Sequence, residues 1–299
     1  MLKIIGHKRQ VEYLKKVRER GTFAHAYLFF GPENVGKLHI AHEWAKLFFE
    51  SADWRAIDEN RHPDFIYLSR EKLLVSDNQK EIGVDDILEL RHLASLSSNS
   101  GGHKFMVIDG ADDMSDTAQN SLLKILEEPP PKTVFILITD SLEGLLPTIV
   151  SRTVPMEFSF VADDDLIPLL DESDVGAPKK EKILTISSGR PGIAIRAVSD
   201  KDYLENEWLF YESFKKVFDS DALSQFLYSQ KICQEPETVE KFLFFLLSEL
   251  RKKLVFNENY GWEAVGSCKE VFNSSDLLRK TNVNKRMLLD NIFLETCDK

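Results

Sequence analysis

The stretch AYLFFGPENVGKL, residues 26–38, decides the fold. A short apolar run ends in glycine, and the spacing G-x-x-x-x-G-K then places Gly31, Gly36 and Lys37 as a phosphate-binding loop requires. Apolar residues recur at helical spacing from Lys37 onward, which predicts a helix directly after the loop. Strand, glycine loop and helix in this order predict a nucleotide-binding α/β domain. Leu38 departs from the pattern, because a hydroxyl residue normally stands there to bind Mg²⁺.

The sequence beyond the loop alternates between strand and helix patterns. Four more apolar runs are predicted strands, at 62–68, 104–109, 133–139 and within 151–158. Helical patterns separate the strands, which predicts a parallel sheet with helices on both faces.

From residue 162 the patterns are helical only, so the chain is predicted to have three domains. We expect an α/β core at 1–160, a small helical domain at 161–200 and an all-α domain at 201–299.

Composition restricts the function classes. The chain has 299 residues, 43% of them hydrophobic, and a net charge of −11, which argues against strong nucleic-acid binding by the chain alone. No apolar run is long enough to span a bilayer, and the first residues lack a signal-peptide pattern, so a cytoplasmic protein without membrane contact is expected. The three cysteines are scattered and show no metal-ligand spacing.

Asp109 ends the apolar run at 104–109, the position at which nucleoside triphosphatases hold their magnesium-associated aspartate. The next residue would often be a glutamate that polarises the attacking water, but here it is Gly110. Asp112 and Asp113 follow closely and are interpreted as solvated acids of the next turn.

A longer stretch carries a specific resemblance. The run from Asn120 to Pro130, NSLLKILEEPP, together with GHKRQVEYL, HPD and GVDDILELR, resembles the bacterial clamp-loader AAA+ proteins of the DNA polymerase III holoenzyme. The resemblance covers residues 4–160 and includes both the delta-prime and the gamma/tau types of subunit. It implies an AAA+ core followed by a helical lid domain and a helical collar domain.

Three departures from the family pattern concern ATP hydrolysis. Leu38 replaces the magnesium-binding hydroxyl, Gly110 replaces the catalytic acid, and Gly192 stands where active members carry a lid arginine that senses the γ-phosphate. Together they favour a delta-prime type of subunit that does not hydrolyse ATP and binds it weakly if at all. Two alternatives stay open: a gamma/tau-type ATPase whose magnesium is held by Asp109 and water, and a module that binds ATP without splitting it. A repair or recombination AAA+ protein is disfavoured by the NSLLKILEEPP run.

Arg152 is the candidate catalytic residue. Ser151 and Arg152 resemble the family's S-R-C motif, whose arginine reaches the ATP site of a neighbouring subunit, although Thr153 replaces the cysteine. The resemblance implies gamma/tau-type and delta subunits, the sliding clamp and primed DNA as partners.

Other family features leave smaller questions. The stretch at 50–64 has no cysteine where members commonly carry a four-cysteine zinc module, so no zinc is expected and His62 is interpreted as a structural hydrogen-bonding residue. Thr139 occupies the place of a γ-phosphate-sensing residue, but it is as well explained as a cap of the turn after its strand. Lys37 either binds an anion or pairs with Asp109.

Overall fold

The computed structural model describes residues 4–75, 81–218, 220–234, 236–256, 269, 271 and 284–297. The chain divides into two compact units. The first contains residues 1–174 and 189–195, and the second contains residues 175–188 and 196–299. The predicted division at 160 and 200 stays a prediction. Within the described residues, no helix is both long and apolar enough to cross a membrane.

The first unit is built on a five-stranded parallel sheet. Its strands are β1 (Ala26–Phe30), β2 (Phe65–Ser69), β3 (Lys104–Asp109), β4 (Thr133–Thr139) and β5 (Val154–Glu157), in the spatial order β2-β3-β4-β1-β5. Every pair is parallel, so all five strands present their carboxyl ends at the same edge of the sheet. The predicted parallel α/β core is therefore confirmed.

The helices of the first unit cover both faces of this sheet. They are α1 (Lys8–Arg20), α2 (Lys37–Lys46), α3 (Trp54–Asp58), α4 (Val84–Ser95), α5 (Asp116–Glu127), α6 (Pro147–Val150) and α7 (Asp163–Glu172). Alternate strand residues enter two separate apolar clusters: Leu28 and Leu137 pack with α4 and α5, whereas Phe29 and Ile136 pack with α1 and α2. Burial on both faces explains the continuous apolar runs in the strands.

The second unit is helical throughout its described residues. It contains α8 (Ala177–Ser187), α10 (Lys201–Phe218), α11 (Ala222–Ile232), α12 (Pro236–Phe256) and α13 (Lys285–Cys297), while α9 (Pro191–Ser199) begins in the first unit and ends in the second. Aromatic side chains form much of its core, since the Phe214 ring lies edge to face with Phe242 at 5.1 Å and Phe242 contacts Phe293 at 5.4 Å. The all-helical pattern predicted for this part of the sequence is present.

Candidate functional site

The phosphate-type loop lies where the sequence predicts it, between β1 and α2. The backbone of Gly31 has φ 134°, and a Cβ there would overlap the carbonyl oxygen of Phe158, so only glycine fits. Gly36 has φ 104° and is the N-cap of α2, which begins at Lys37. Parallel pairing brings the ends of the neighbouring strands to this loop, since Phe30 is in register with Thr139 and Asp109 with Ile138.

Lys37 is bonded to its own chain inside the loop. Its ammonium is 6% exposed and donates to the carbonyl oxygens of Gly31 and Pro32, the second at 2.9 Å. It also forms a salt bridge with Asp140, with 2.8 Å between Nζ and Oδ1. An ammonium carries three N–H donors, and these three acceptors match them. The group that would bind a β- or γ-phosphate is therefore already saturated.

Asp109 is not the partner of Lys37, so the alternative that paired these two residues is wrong. The carboxylate of Asp109 accepts a hydrogen bond from the hydroxyl of Tyr67 at 3.0 Å, because β2 lies directly beside β3. Burial raises the pKa of Asp109 above its usual value, against the opposing effects of the Tyr67 hydrogen bond and the Lys37 charge. The carboxylate of Asp109 is therefore engaged by a neighbouring strand.

Gly110 is fixed by its backbone. It has φ 74°, and a Cβ built on it would lie 2.8 Å from Oδ2 of Asp113. Asp113 is in the short 3₁₀ turn Ala111–Asp113, as expected for an acid of the turn, and burial and the neighbouring Asp112 raise its pKa. A glutamate at position 110 would be strained by this left-handed backbone, and the Asp113 carboxylate would have to move aside.

Two further departures from the hydrolytic pattern have structural counterparts. Leu38 is partly buried and packs against the apolar cluster of α1 and α2. The backbone N–H of Gly192 donates to the carbonyl oxygen of Asn34 in the loop at 2.9 Å, and a Cβ at Gly192 would lie 3.1 Å from that oxygen. The segment that would carry a γ-phosphate-sensing arginine instead contacts the loop through its backbone.

Thr139 is almost completely buried at the end of β4. Its hydroxyl donates to the carbonyl oxygen of Ser141 at 2.7 Å and accepts from the backbone N–H of the same residue at 3.2 Å. These two bonds are the turn-capping arrangement that the sequence left open as one role of Thr139. Its other role, in sensing phosphate, stays a prediction.

Arg152 lies away from the loop, two residues after the end of α6. Its Nη2 donates to Oε1 of Glu127 at 2.8 Å, and its Nη1 donates to the carbonyl oxygen of Thr148 at 3.2 Å. The side chain nevertheless remains 37% exposed. Thr153 is buried beside it and bonds through its hydroxyl to the carbonyl oxygen of Val150 at 3.0 Å. Arg152 is thus a charged group at the surface of the first unit, held by two contacts.

His62 makes the structural hydrogen bond that was expected of it. Its Nδ1 accepts from the backbone N–H of Asp64 at 3.0 Å, and its ring lies 4.6 Å from that of Phe49. Among the residues that the structure describes, no group of three or more His, Cys, Asp or Glu side chains is arranged to hold a metal ion.

Sequence reasoning missed Asp140, Tyr67 and Glu127 as members of these arrangements. Asp140 directly follows β4, and the shared carboxyl edge of parallel strands is a signal that could have identified it. Tyr67 gave no such signal, since its contact with Asp109 depends on which strands are neighbours.

Comparisons with known proteins agree with this fold and its motifs. A family model described as "DNA polymerase III, delta subunit" matches residues 6–162. The chain is 28% identical to "DNA polymerase III subunit delta'" of Pseudomonas aeruginosa, over 92% of this chain and 92% of that protein. It is also 28% identical to "DNA polymerase III subunit tau" of Bacillus subtilis, over 55% of this chain and 30% of that protein.

Among solved structures, a variant of RuvB from Thermotoga maritima superposes with a TM-score of 0.50 and 17% identity, covering 72% of this chain and 76% of that one. This similarity shows the fold alone. The family model covers more than half of the chain, from the first helix to the end of the sheet. The chain therefore belongs to the DNA polymerase III delta-subunit family.

Proposed function

We propose that this protein is a delta-prime-type subunit of a bacterial clamp loader, without ATPase activity of its own. It assembles with gamma/tau-type and delta subunits in the cytoplasm and takes part in placing a sliding clamp on primed DNA. In that assembly Arg152 completes the ATP site of a neighbouring subunit. The proposal rests on the family match and on the relatives named delta' and tau.

The observation that carries the proposal is the contrast between two cations of the first unit. Lys37 is 6% exposed and saturated by acceptors of its own loop and by Asp140. Arg152 is 37% exposed. A guanidinium at a surface can stabilise the charge that develops on a phosphate held by another chain, as arginine fingers do. A buried ammonium without available donors cannot.

The loop also lacks other groups that hydrolysis needs. Leu38 offers no oxygen to Mg²⁺. The carboxylate of Asp109 accepts a hydrogen bond from the Tyr67 hydroxyl, which occupies one of its acceptor positions. At position 110 the left-handed backbone disfavours the glutamate that would activate water. An ATPase of the gamma/tau type would need all three functions, so we expect no turnover by the isolated chain.

The test is reconstitution with gamma/tau-type and delta subunits, clamp and primed DNA. Arg152→Ala is expected to lower ATP turnover at the site it serves by at least about tenfold, since arginine fingers supply more than that in kcat. Arg55→Ala is the matched control, because Arg55 is also an exposed arginine paired with a glutamate, Glu59 at 3.0 Å. Equal turnover in both variant complexes would contradict the trans role of Arg152. ATP hydrolysis by the isolated chain would contradict the proposal that this subunit has no ATPase activity of its own.

A further inference from the structure

We propose that Glu127 is the positioning residue of Arg152, holding the guanidinium in the orientation in which it meets a neighbouring subunit's phosphate. This inference rests on the proposed trans role of Arg152. Glu127 touches neither ATP nor the reacting atoms. It affects ATP hydrolysis at the neighbouring subunit's site only through Arg152.

The geometry brings two elements together at this point. Glu127 is the last residue of α5, and Arg152 follows α6 after a single residue. The salt bridge joins Nη2 to Oε1 at 2.8 Å, and Nη1 is held by the carbonyl oxygen of Thr148 at 3.2 Å. The backbone of Arg152 is fixed as well, since its N–H donates to the carbonyl oxygen of Ile149 at 3.0 Å. Both terminal nitrogens therefore have a fixed partner on the chain.

The end of α5 that carries Glu127 is anchored in the apolar core. The residues immediately before it, Ile125 and Leu126, are buried in the apolar cluster that α5 forms with the sheet, and so is Leu122 one turn earlier. The buried residues before it hold the backbone of Glu127 in place at the end of the helix. The carboxylate thus approaches the guanidinium from a fixed point on the first unit.

Stability does not explain this contact. Glu127 and Arg152 are 53% and 37% exposed, and ion pairs of that kind contribute about 0–1 kcal/mol to the free energy of unfolding. An arginine side chain, however, carries roughly 2 kcal/mol of rotamer entropy that must be lost when it binds a phosphate. The contacts of Arg152 with Glu127 and Thr148 already restrict its side chain, so less rotamer entropy is lost when it binds a phosphate. The contact thus serves preorganisation better than it serves folding.

The pair leaves the guanidinium able to bind a phosphate. A guanidinium has five N–H donors, and the contacts with Glu127 and Thr148 require one from each terminal nitrogen. Partial exposure of the side chain gives a second molecule access to it. The glutamate can stay bound while a phosphate oxygen accepts from the same guanidinium.

The experiment uses the full clamp-loader complex with clamp and primed DNA, and measures ATP turnover over a range of ATP concentrations. Glu127→Ala is expected to lower kcat roughly three- to tenfold with KM unchanged, because misplacing a group that acts only in the transition state lowers kcat. Glu127→Gln keeps an acceptor oxygen and should fall between wild type and Glu127→Ala. Glu128→Ala is the matched control, removing the same charge from the next, exposed residue, and should leave kcat unchanged.

The double variant Glu127→Ala/Arg152→Ala should be no slower than Arg152→Ala, because Glu127 acts through the arginine alone. Wild-type kcat in Glu127→Ala, with a strong loss in Arg152→Ala, would overturn the inference while leaving the trans role intact. A faster complex with Glu127→Ala would also overturn it, since the glutamate would then be sequestering the arginine. If Arg152→Ala itself has no effect, the proposed trans role fails first.

Discussion

The nucleotide loop and the surface around Arg152 use the same chemistry with opposite results. In each region a cation is held by one carboxylate and by backbone carbonyl groups, two for Lys37 and one for Arg152. Lys37 is buried, and the acceptors around it match all of its donors. Arg152 is partly exposed and has more donors than its two contacts use. The comparison teaches that burial and donor count, rather than the presence of a motif residue, decide which cation can act on a phosphate.

The strongest way to test the loop side of this comparison is to restore its missing acid. Gly110→Glu is expected to destabilise the protein by about 1–3 kcal/mol, because a residue with a Cβ is strained in this left-handed backbone conformation. Urea unfolding measures the effect. Gly102→Glu is the control, since the nearest atom to a Cβ there is Oγ of Ser100 at 3.5 Å. Equal losses in the two variants would mean that position 110 is not restricted as described.

The Lys37–Asp140 salt bridge can be broken directly. Asp140→Asn is expected to raise the affinity of the isolated chain for inorganic tripolyphosphate by about tenfold, because a charge-assisted bond of ~1.5 kcal/mol no longer competes with the anion. Titration calorimetry is the measurement. Asp112→Asn removes the same charge from an exposed acid of the neighbouring turn and should change the affinity less. Unchanged affinity in Asp140→Asn would show that this salt bridge does not close the loop.

The smallest expected effect separates the two roles left open for Thr139. Thr139→Val should cost about 1 kcal/mol of the free energy of unfolding, because both hydrogen bonds to Ser141 are lost, and clamp-loader turnover should not change. Thr133→Val is a control on the same strand, since the buried hydroxyl of Thr133 has no hydrogen-bond partner. It should be neutral or stabilising. Loss of turnover in Thr139→Val without loss of stability would favour the phosphate-sensing role.

The sequence was sufficient for the parts of the fold that follow from local pattern. The five apolar runs became the five strands, and Gly31, Gly36 and Lys37 formed the loop between β1 and α2. Parallel pairing also explains why Asp109 and Thr139 approach that loop. These results depend on periodicity and on glycine backbone conformations, which are properties of short segments.

The side-chain partners could not be predicted in the same way. The choice of Asp140 over Asp109 for Lys37, and of Tyr67 for Asp109, depends on the order of the strands and on side-chain directions at their ends. The contact between Glu127 and Arg152 joins residues 25 positions apart at the ends of two helices. Such pairs are determined by tertiary packing, which local sequence patterns do not predict.

The central claim is that this chain acts on ATP through Arg152 and not through Lys37. The most direct measurement compares steady-state ATP turnover of complexes that carry Lys37→Ala or Arg152→Ala in this subunit only. We expect Lys37→Ala to assemble and turn over like wild type, because its ammonium is committed within its own loop. Arg152→Ala should assemble and lose turnover. Loss of turnover with Lys37→Ala, and none with Arg152→Ala, would contradict the account.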